Sequence, residues 1–241
     1  MEGETSVPTT ERAPIASATH TAIFLAIAAA TVAAGFVAQH RDAAAGGIPA
    51  SHAHVIPIYA SAAALDWLLV LFVWLGIRRR GVRIGSLIAG RWTGARDALR
   101  DLALAALFWG GSTAVLGVVE ALVGHGTAKS LQVLLPRTPL EIGVWILTSI
   151  TAGFCEELVF RGYLQRQLLA IAGRLPVAVA GQAVVFAAMH SYQGWRAVVQ
   201  IAVLGALFGA LAAWRRTLRV GMIAHAWQDV WAGWLGLAIL R

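Results

Sequence analysis

The sequence predicts an all-α fold, a polytopic transmembrane helical bundle of about seven spans with its N-terminus inside and its C-terminus outside. Three observations predict it. Of 241 residues, 59% are hydrophobic and only 13% charged, more apolar surface than a soluble domain of this size buries beneath a polar exterior. The apolar residues gather into runs near or beyond the roughly 20 residues that cross a bilayer. The basic residues fall mainly between those runs and favour one side, as cytoplasmic loops do.

The runs are taken in chain order: 19–39, 55–77, 101–123, 140–160, 176–192, 196–214 and 220–240. Residues 1–18 carry Glu2, Glu4 and Glu11 against Arg12. That is not the basic start of a signal peptide, so the first run reads as a retained helix. Between the second and third runs, "RRRGVRIGSLIAGRWTGARDALR" mixes arginines with apolar residues, the pattern of a loop with an amphipathic piece on an anionic membrane surface. Pro136, Pro139 and Pro176 fall at starts of runs, where proline is tolerated. The fourth run is expected to continue as helix through Gln165, Arg166 and Gln167, with the polar stretch 161–174 projecting beyond the bilayer. With the N-terminus inside, fourteen of the nineteen Lys and Arg residues lie on the internal side, which sets the orientation. Trp74, Trp92, Trp195 and Trp214 lie near expected interfaces, where amphipathic rings belong. The net charge of +7 does not indicate nucleic acid, because the arginines form no single amphipathic surface. Cys155 is the only cysteine, so an intrachain disulfide is excluded. No internal repeat and no inverted pair of broken helices is visible.

Ionisable side chains in hydrocarbon cost about 2.5–3.5 kcal/mol each on insertion scales, so those present face a cavity or a partner. Asp66 and Glu120 stand alone in their spans and read as groups solvated near an interface or paired with a neighbouring helix. The C-terminal half differs, because its ionisable residues share a plane. Glu156 and Glu157 sit near the cytoplasmic end of the fourth span, His190 in the fifth ("FAAMH"), His225 and Asp229 in the seventh ("HAWQD"). In a hairpin turning near Gly173, Glu156 and His190 each stand 17 residues from the turn, a rise of about 25 Å on both arms. His225 lies about 12 Å past the Arg215–Arg219 turn, and the levels agree if the first hairpin projects beyond the bilayer.

Helical phase divides the labour. Adjacent Glu156 and Glu157 point about 100° apart, whereas Glu157 and Arg161 are spaced for an intrahelical pair. Glu156 therefore reads as the chemical group and Glu157–Arg161 as a structural clamp. His225 and Asp229 project together into one cavity, and Phe186 shares a face with His190. Taken singly, a membrane histidine is usually a packing hydrogen bond and a Glu–Arg pair a brace; five such groups at compatible depths are harder to read that way.

A carboxylate and two imidazoles around a wet pocket resemble machinery for activating water. In that reading Glu156 takes a proton from water attacking a carbonyl, His190 orients that water or shares the proton, and His225 donates to the oxyanion. Glu156, His190, His225 and Asp229 equally suit a divalent metal such as zinc, and residue types alone leave both routes open. Cys155 is a third candidate nucleophile, but Glu156 beside it disfavours the thiolate, and it reads as a small packing residue.

Three elements thus occur in order: Glu156-Glu157-x-x-x-Arg161, Phe186-x-x-x-His190 and His225-x-x-x-Asp229. Together they resemble the CAAX protease and bacteriocin-processing (CPBP, or Abi) family of intramembrane glutamic-type endopeptidases, to which type II CAAX prenyl endopeptidases belong. The likeness covers about residues 138–240, including Gly162 and the helix with Gly205 and Gly209, small residues four apart that let helices approach closely. It implies a catalytic core of four spans over 138–241, preceded by a variable membrane region, 1–137, of about three spans and the basic loop. It also implies Glu156 as the base, His190 as its partner, and His225 with residue 229 on the oxyanion. The prenyl-protein enzymes have Asn where this chain has Asp229, although the wider pattern accepts either. An ionised Asp repels an oxyanion, so Asp229 is expected to be protonated, to share a proton with His225, or to orient it from behind.

The implied substrate is a membrane-associated protein or peptide: a CAAX-type tail, a leader peptide or a sorting signal. The implied setting is the cell membrane, multi-pass, with the site towards the cytoplasm and no nucleic-acid partner. Other readings of the same residues are a metal-dependent membrane hydrolase, a transporter or proton relay, and a catalytically silent immunity protein. The single shallow layer of charges and the lack of repeat symmetry argue against a transporter, and the intact motifs argue against a silent protein.

Overall fold

The computed structural model describes residues 13–44, 55–124 and 134–239. Its regular elements are all helical there: α1 (Ala18–Ala44), α2 (Val55–Arg78), α3 (Ile84–Ile88), α4 (Ala95–Val123), α5 (Pro139–Ala172), α6 (Leu175–Met189), α7 (Trp195–Arg215) and α8 (Arg219–Ile239). Every run expected to span became a helix. Among the described residues, α1, α2, α4, α5 and α7 are long and apolar enough to cross a membrane. The expected span 176–192 is shorter than the sequence suggested, because α6 ends at Met189 and gives way to a single 3-10 turn, Ser191–Gln193, closed by Gly194 at φ 92°.

Local chemistry sets the helix starts. Thr138 opens α5 with a capping box: the Glu141 amide donates to Thr138 Oγ1 (3.3 Å) and the Thr138 amide to Glu141 Oε2 (3.0 Å), with Pro139 in the first turn. These contacts satisfy donors that a helix start otherwise leaves orphaned. At the other end Gly173 adopts the left-handed conformation (φ 67°), turning the chain into α6, which carries a proline in its own first turn.

The middle of α5 is not α-helical. Residues Glu157–Leu164 form a π-helical stretch, all eight of them buried. Leu158, Phe160, Tyr163 and Leu164 centre an apolar core shared with Phe24 of α1, Val70, Val73 and Ile77 of α2, Leu87 of α3 and Phe186 of α6. The N-terminal helices therefore enclose the same core as the motif-bearing ones. Because lipid is as apolar as these side chains, close approach has to supply the cohesion. A Cβ at Gly153 would stand 2.7 Å from the Ala226 amide nitrogen and 2.8 Å from the Met222 carbonyl, so glycine lets α5 and α8 cross backbone to backbone. A Cβ at Gly205 would stand 3.3 Å from Ala183 Cα of α6, and one at Gly209 would collide with the Gln165 and Gln182 side chains (2.7 Å each); the carbonyls of these glycines accept Gln182 Nε2 (2.8 Å) and Gln165 Nε2 (3.0 Å).

The polar stretch after the π segment has partners that the sequence did not show. The helix continues through Gln165–Gln167, but Gln165 (5% exposed) and Gln167 (1% exposed) face protein. Gln167 Oε1 accepts the Ile15 and Ala16 amides (3.0 and 3.2 Å) and its Nε2 donates to the Ala16 carbonyl (3.0 Å), fastening the segment before α1. Buried amides need such partners. In the arginine-rich loop, α3 is five residues long and turns Leu87 into the core. Arg166 holds it by donating to the Ser86 and Leu87 carbonyls (3.1 and 2.9 Å).

One buried acid ties this end of the bundle together. Asp101, fully buried at the start of α4, lies 3.3 Å from both Arg215 and Arg219 and accepts Trp92 Nε1 at 2.9 Å. Asp101→Ala leaves those cations unpaired, and an expected loss of about 3 kcal/mol is measurable as a lowered unfolding midpoint in detergent.

Candidate active site

The change from α to π geometry falls between the two glutamates: Glu156 ends the α-helical part of α5 and Glu157 begins the wider turns. Uniform α phase would turn them apart, yet both meet His225 of α8 from opposite edges of its ring. His225 Nδ1 lies 3.1 Å from Glu157 Oε1, and Nε2 lies 3.5 Å from Glu156 Oε2 and 3.8 Å from Asp229 Oδ2. A π turn of this kind is frequent at functional sites.

The two acids differ in their surroundings. Glu157 and Arg161 are both fully buried and pair at 2.9 Å. Arg161 also donates to the Gly205 carbonyl (3.3 Å) and lies over the rings of Phe186 (4.5 Å) and Phe208 (5.3 Å). A buried ion pair survives its desolvation only with such additional partners. Glu157 is thus more than a clamp, since the same carboxylate holds His225. Glu156 keeps 17% of its side chain exposed, the access that an acid acting on water needs.

His190 follows the last residue of α6, and its Nδ1 lies 2.8 Å from the Phe186 carbonyl. A carbonyl only accepts, so Nδ1 carries the hydrogen and Nε2 of the neutral ring is an acceptor. Phe186 sits between the imidazoles, its ring centroid 4.8 Å from His190 and 6.1 Å from His225. Asp229 lies within electrostatic reach of both histidines. Among the described residues no hydrogen bond or ion pair joins His190 directly to Glu156, His225 or Asp229. Trp145 Nε1 donates to the Asp229 carbonyl (3.0 Å), fixing α8 against α5 at this level. Cys155 is buried in the apolar core.

The described residues contain no group of three or more His, Cys, Asp or Glu side chains arranged to hold a metal ion. His225 spends one nitrogen on Glu157 and His190 one on a carbonyl. Both rings use Nδ1 in this way and keep Nε2 out of any hydrogen bond, an arrangement common to hydrogen-bonded acid–imidazole sets and to metal-ligating histidines.

Two residues belong to this neighbourhood that the sequence reading did not assign to it. Asp66, read as isolated, lies within electrostatic reach of Glu156, His225 and Asp229. It is carried there by the protein-facing stripe of α2, in which buried Tyr59, Val70 and Val73 flank it at helical spacing. Tyr59 packs on Trp145 and Trp67 on Phe154 (5.2 and 5.8 Å between centroids), so α2 runs parallel to α5 and delivers Asp66 to the level of the glutamates. That periodicity was available in the sequence. Tyr192, two residues beyond His190, stacks on it at 6.2 Å. Crowding around the loop desolvates its phenol and pushes it above the ordinary tyrosine range, and the charges of Glu156, Asp229 and Asp66 act in the same direction.

Comparison with known proteins bears on the same segment. Residues 138–231 match the family model described as type II CAAX prenyl endopeptidase Rce1-like, in agreement with the CPBP resemblance. All four residues Glu156, His190, His225 and Asp229 lie inside the match. No curated protein and no solved structure matches the chain.

Proposed function

We propose, from the Rce1-like match over 138–231, that this multi-pass membrane protein is an intramembrane endopeptidase that hydrolyses peptide bonds of membrane-associated protein or peptide substrates with water activated by Glu156. The observation that carries the reading is the asymmetry of the two glutamates around His225. Glu157 is committed on one edge of the ring, while Glu156 faces the other edge and retains access.

In this mechanism Glu156 accepts a proton from water as its oxygen attacks the scissile carbonyl carbon. The acceptor Nε2 of His190 helps aim that water. The carbon–nitrogen bond then breaks, and the proton held between Glu156 and His225 passes to the departing amine. Asp229, 3.8 Å from His225 Nε2, orients the imidazole rather than touching the oxyanion, which removes the conflict between an ionised Asp and developing negative charge. A CAAX-type tail, a leader peptide and a sorting signal each present the required bond near a membrane surface.

The test is cleavage of a Leu/Ala-rich membrane-inserted peptide by the purified protein in phosphatidylcholine vesicles, run in isotopically heavy water and read by mass spectrometry. Heavy oxygen is expected in the new carboxylate, at a rate unchanged by prior dialysis against a chelator. A rate lost to the chelator and restored by zinc transfers water activation to a metal held by Glu156, His190, His225 or Asp229. Absence of cleavage with any membrane peptide overturns the reading.

A further inference from the structure

Peptide hydrolysis passes through a tetrahedral intermediate whose oxyanion needs hydrogen-bond donors about 2.7–3.1 Å away. The site described so far supplies one such donor, His225 Nε2, and lacks a second. His190 spends its Nδ1–H on the Phe186 carbonyl, and Nε2 of a neutral imidazole is an acceptor. His225 commits Nδ1 to Glu157, while its Nε2, 3.5 Å from Glu156 and 3.8 Å from Asp229, makes no hydrogen bond to either and is the one donor available. Asp229, when ionised, is itself an acceptor.

Tyr192 has the missing property. Its ring stacks on His190 with an interplanar angle of 28°, and its phenol stands in the field of Glu156, Asp229 and Asp66. Gln193 Nε2 donates to Tyr192 Oη at 3.1 Å. That bond occupies an oxygen lone pair and leaves the phenolic hydrogen free to be given elsewhere. The residue as a whole is 44% exposed. The loop is also braced: Ser191–Gln193 is one 3-10 turn, and α1 backs it so closely that a Cβ at Gly35 would lie 3.5 Å from Tyr192 Cβ.

Resting on the endopeptidase reading, the geometry points to Tyr192 as a further catalytic residue, its hydroxyl donating a hydrogen bond to the oxyanion of the tetrahedral intermediate. Gln193 is then a positioning residue that fixes the direction of that hydroxyl. No bond is made or broken at Tyr192. Its hydrogen bond strengthens as charge develops on the carbonyl oxygen and relaxes when the carbonyl re-forms.

The experiment compares wild type, Tyr192→Phe and Gln193→Ala in vesicles with the membrane peptide as substrate and its phosphinic isostere, a tetrahedral mimic, as inhibitor. Tyr192→Phe is expected to lower kcat by about 10²-fold with KM unchanged, and to weaken inhibition by the isostere by a similar factor. Gln193→Ala is expected to move both quantities in the same direction, by less. A Tyr192→Phe enzyme with wild-type kcat, or one whose kcat falls while inhibition by the isostere is unaltered, overturns the assignment and leaves the protease reading standing. A wild-type protein that neither cleaves the peptide nor binds the isostere overturns both.

Discussion

Glu156→Gln lowers kcat by about 10²–10⁴-fold, the contribution of a positioned general base, with the thermal unfolding of the protein in detergent unchanged. Gln has the shape of Glu and can still face His225 Nε2 across the 3.5 Å now separating the acid from it, so packing is retained. What is lost is the capacity to take a proton from water. Because Glu156 reaches no buried arginine, unlike its neighbour, stability is not expected to follow activity. Peptide cleavage in vesicles and unfolding monitored by tryptophan fluorescence provide the two readouts. Full turnover in the variant removes Glu156 from the chemistry and points to Glu157, Asp66 or Asp229 as the base.

Arg161→Ala has the opposite profile and is expected to destabilise the protein by about 3–5 kcal/mol, the usual consequence of leaving one member of a buried ion pair alone. Glu157, fully buried, then loses the guanidinium 2.9 Å away. The Gly205 carbonyl loses one of its two donors, keeping Gln182, and the faces of Phe186 and Phe208 lose their cation. Replacing both members, as Glu157→Gln with Arg161→Met, removes the stranded charge and is expected to restore much of the stability. It does not restore activity, since the carboxylate that holds His225 Nδ1 at 3.1 Å is gone. An unfolding midpoint of Arg161→Ala equal to wild type contradicts the role of this pair as the centre of the core.

The pair's spacing was legible because i and i+4 on one helix is a local relation. The placement of Glu156 and Glu157 was not. Uniform α phase separates them by about 100°, and only the π turn starting at Glu157 lets both reach one imidazole. The partners of the glutamines at 165 and 167 were hidden for a related reason. A polar letter past the end of an apolar run suggests water, whereas Gln167 faces the backbone of residues 15 and 16, about 150 positions away in sequence. For Asp66 the sequence left open an interface or a partner on a neighbouring helix, because no single run reveals the lateral order of the helices that carry its neighbours.

Hydrophobic length, helix punctuation by proline and glycine, and the ordered motifs at 156–161, 186–190 and 225–229 are properties of short stretches, and they sufficed to specify an all-helical membrane chain with an acid and two imidazoles at compatible depths. Which carboxylate oxygen faces which ring nitrogen, and that Asp66 and Tyr192 join them, was decided by the tertiary structure. The close crossing at Gly153 and those at Gly205 and Gly209 determine how far each helix approaches its neighbours. Those distances arise only when side chains remote in sequence are packed against one another.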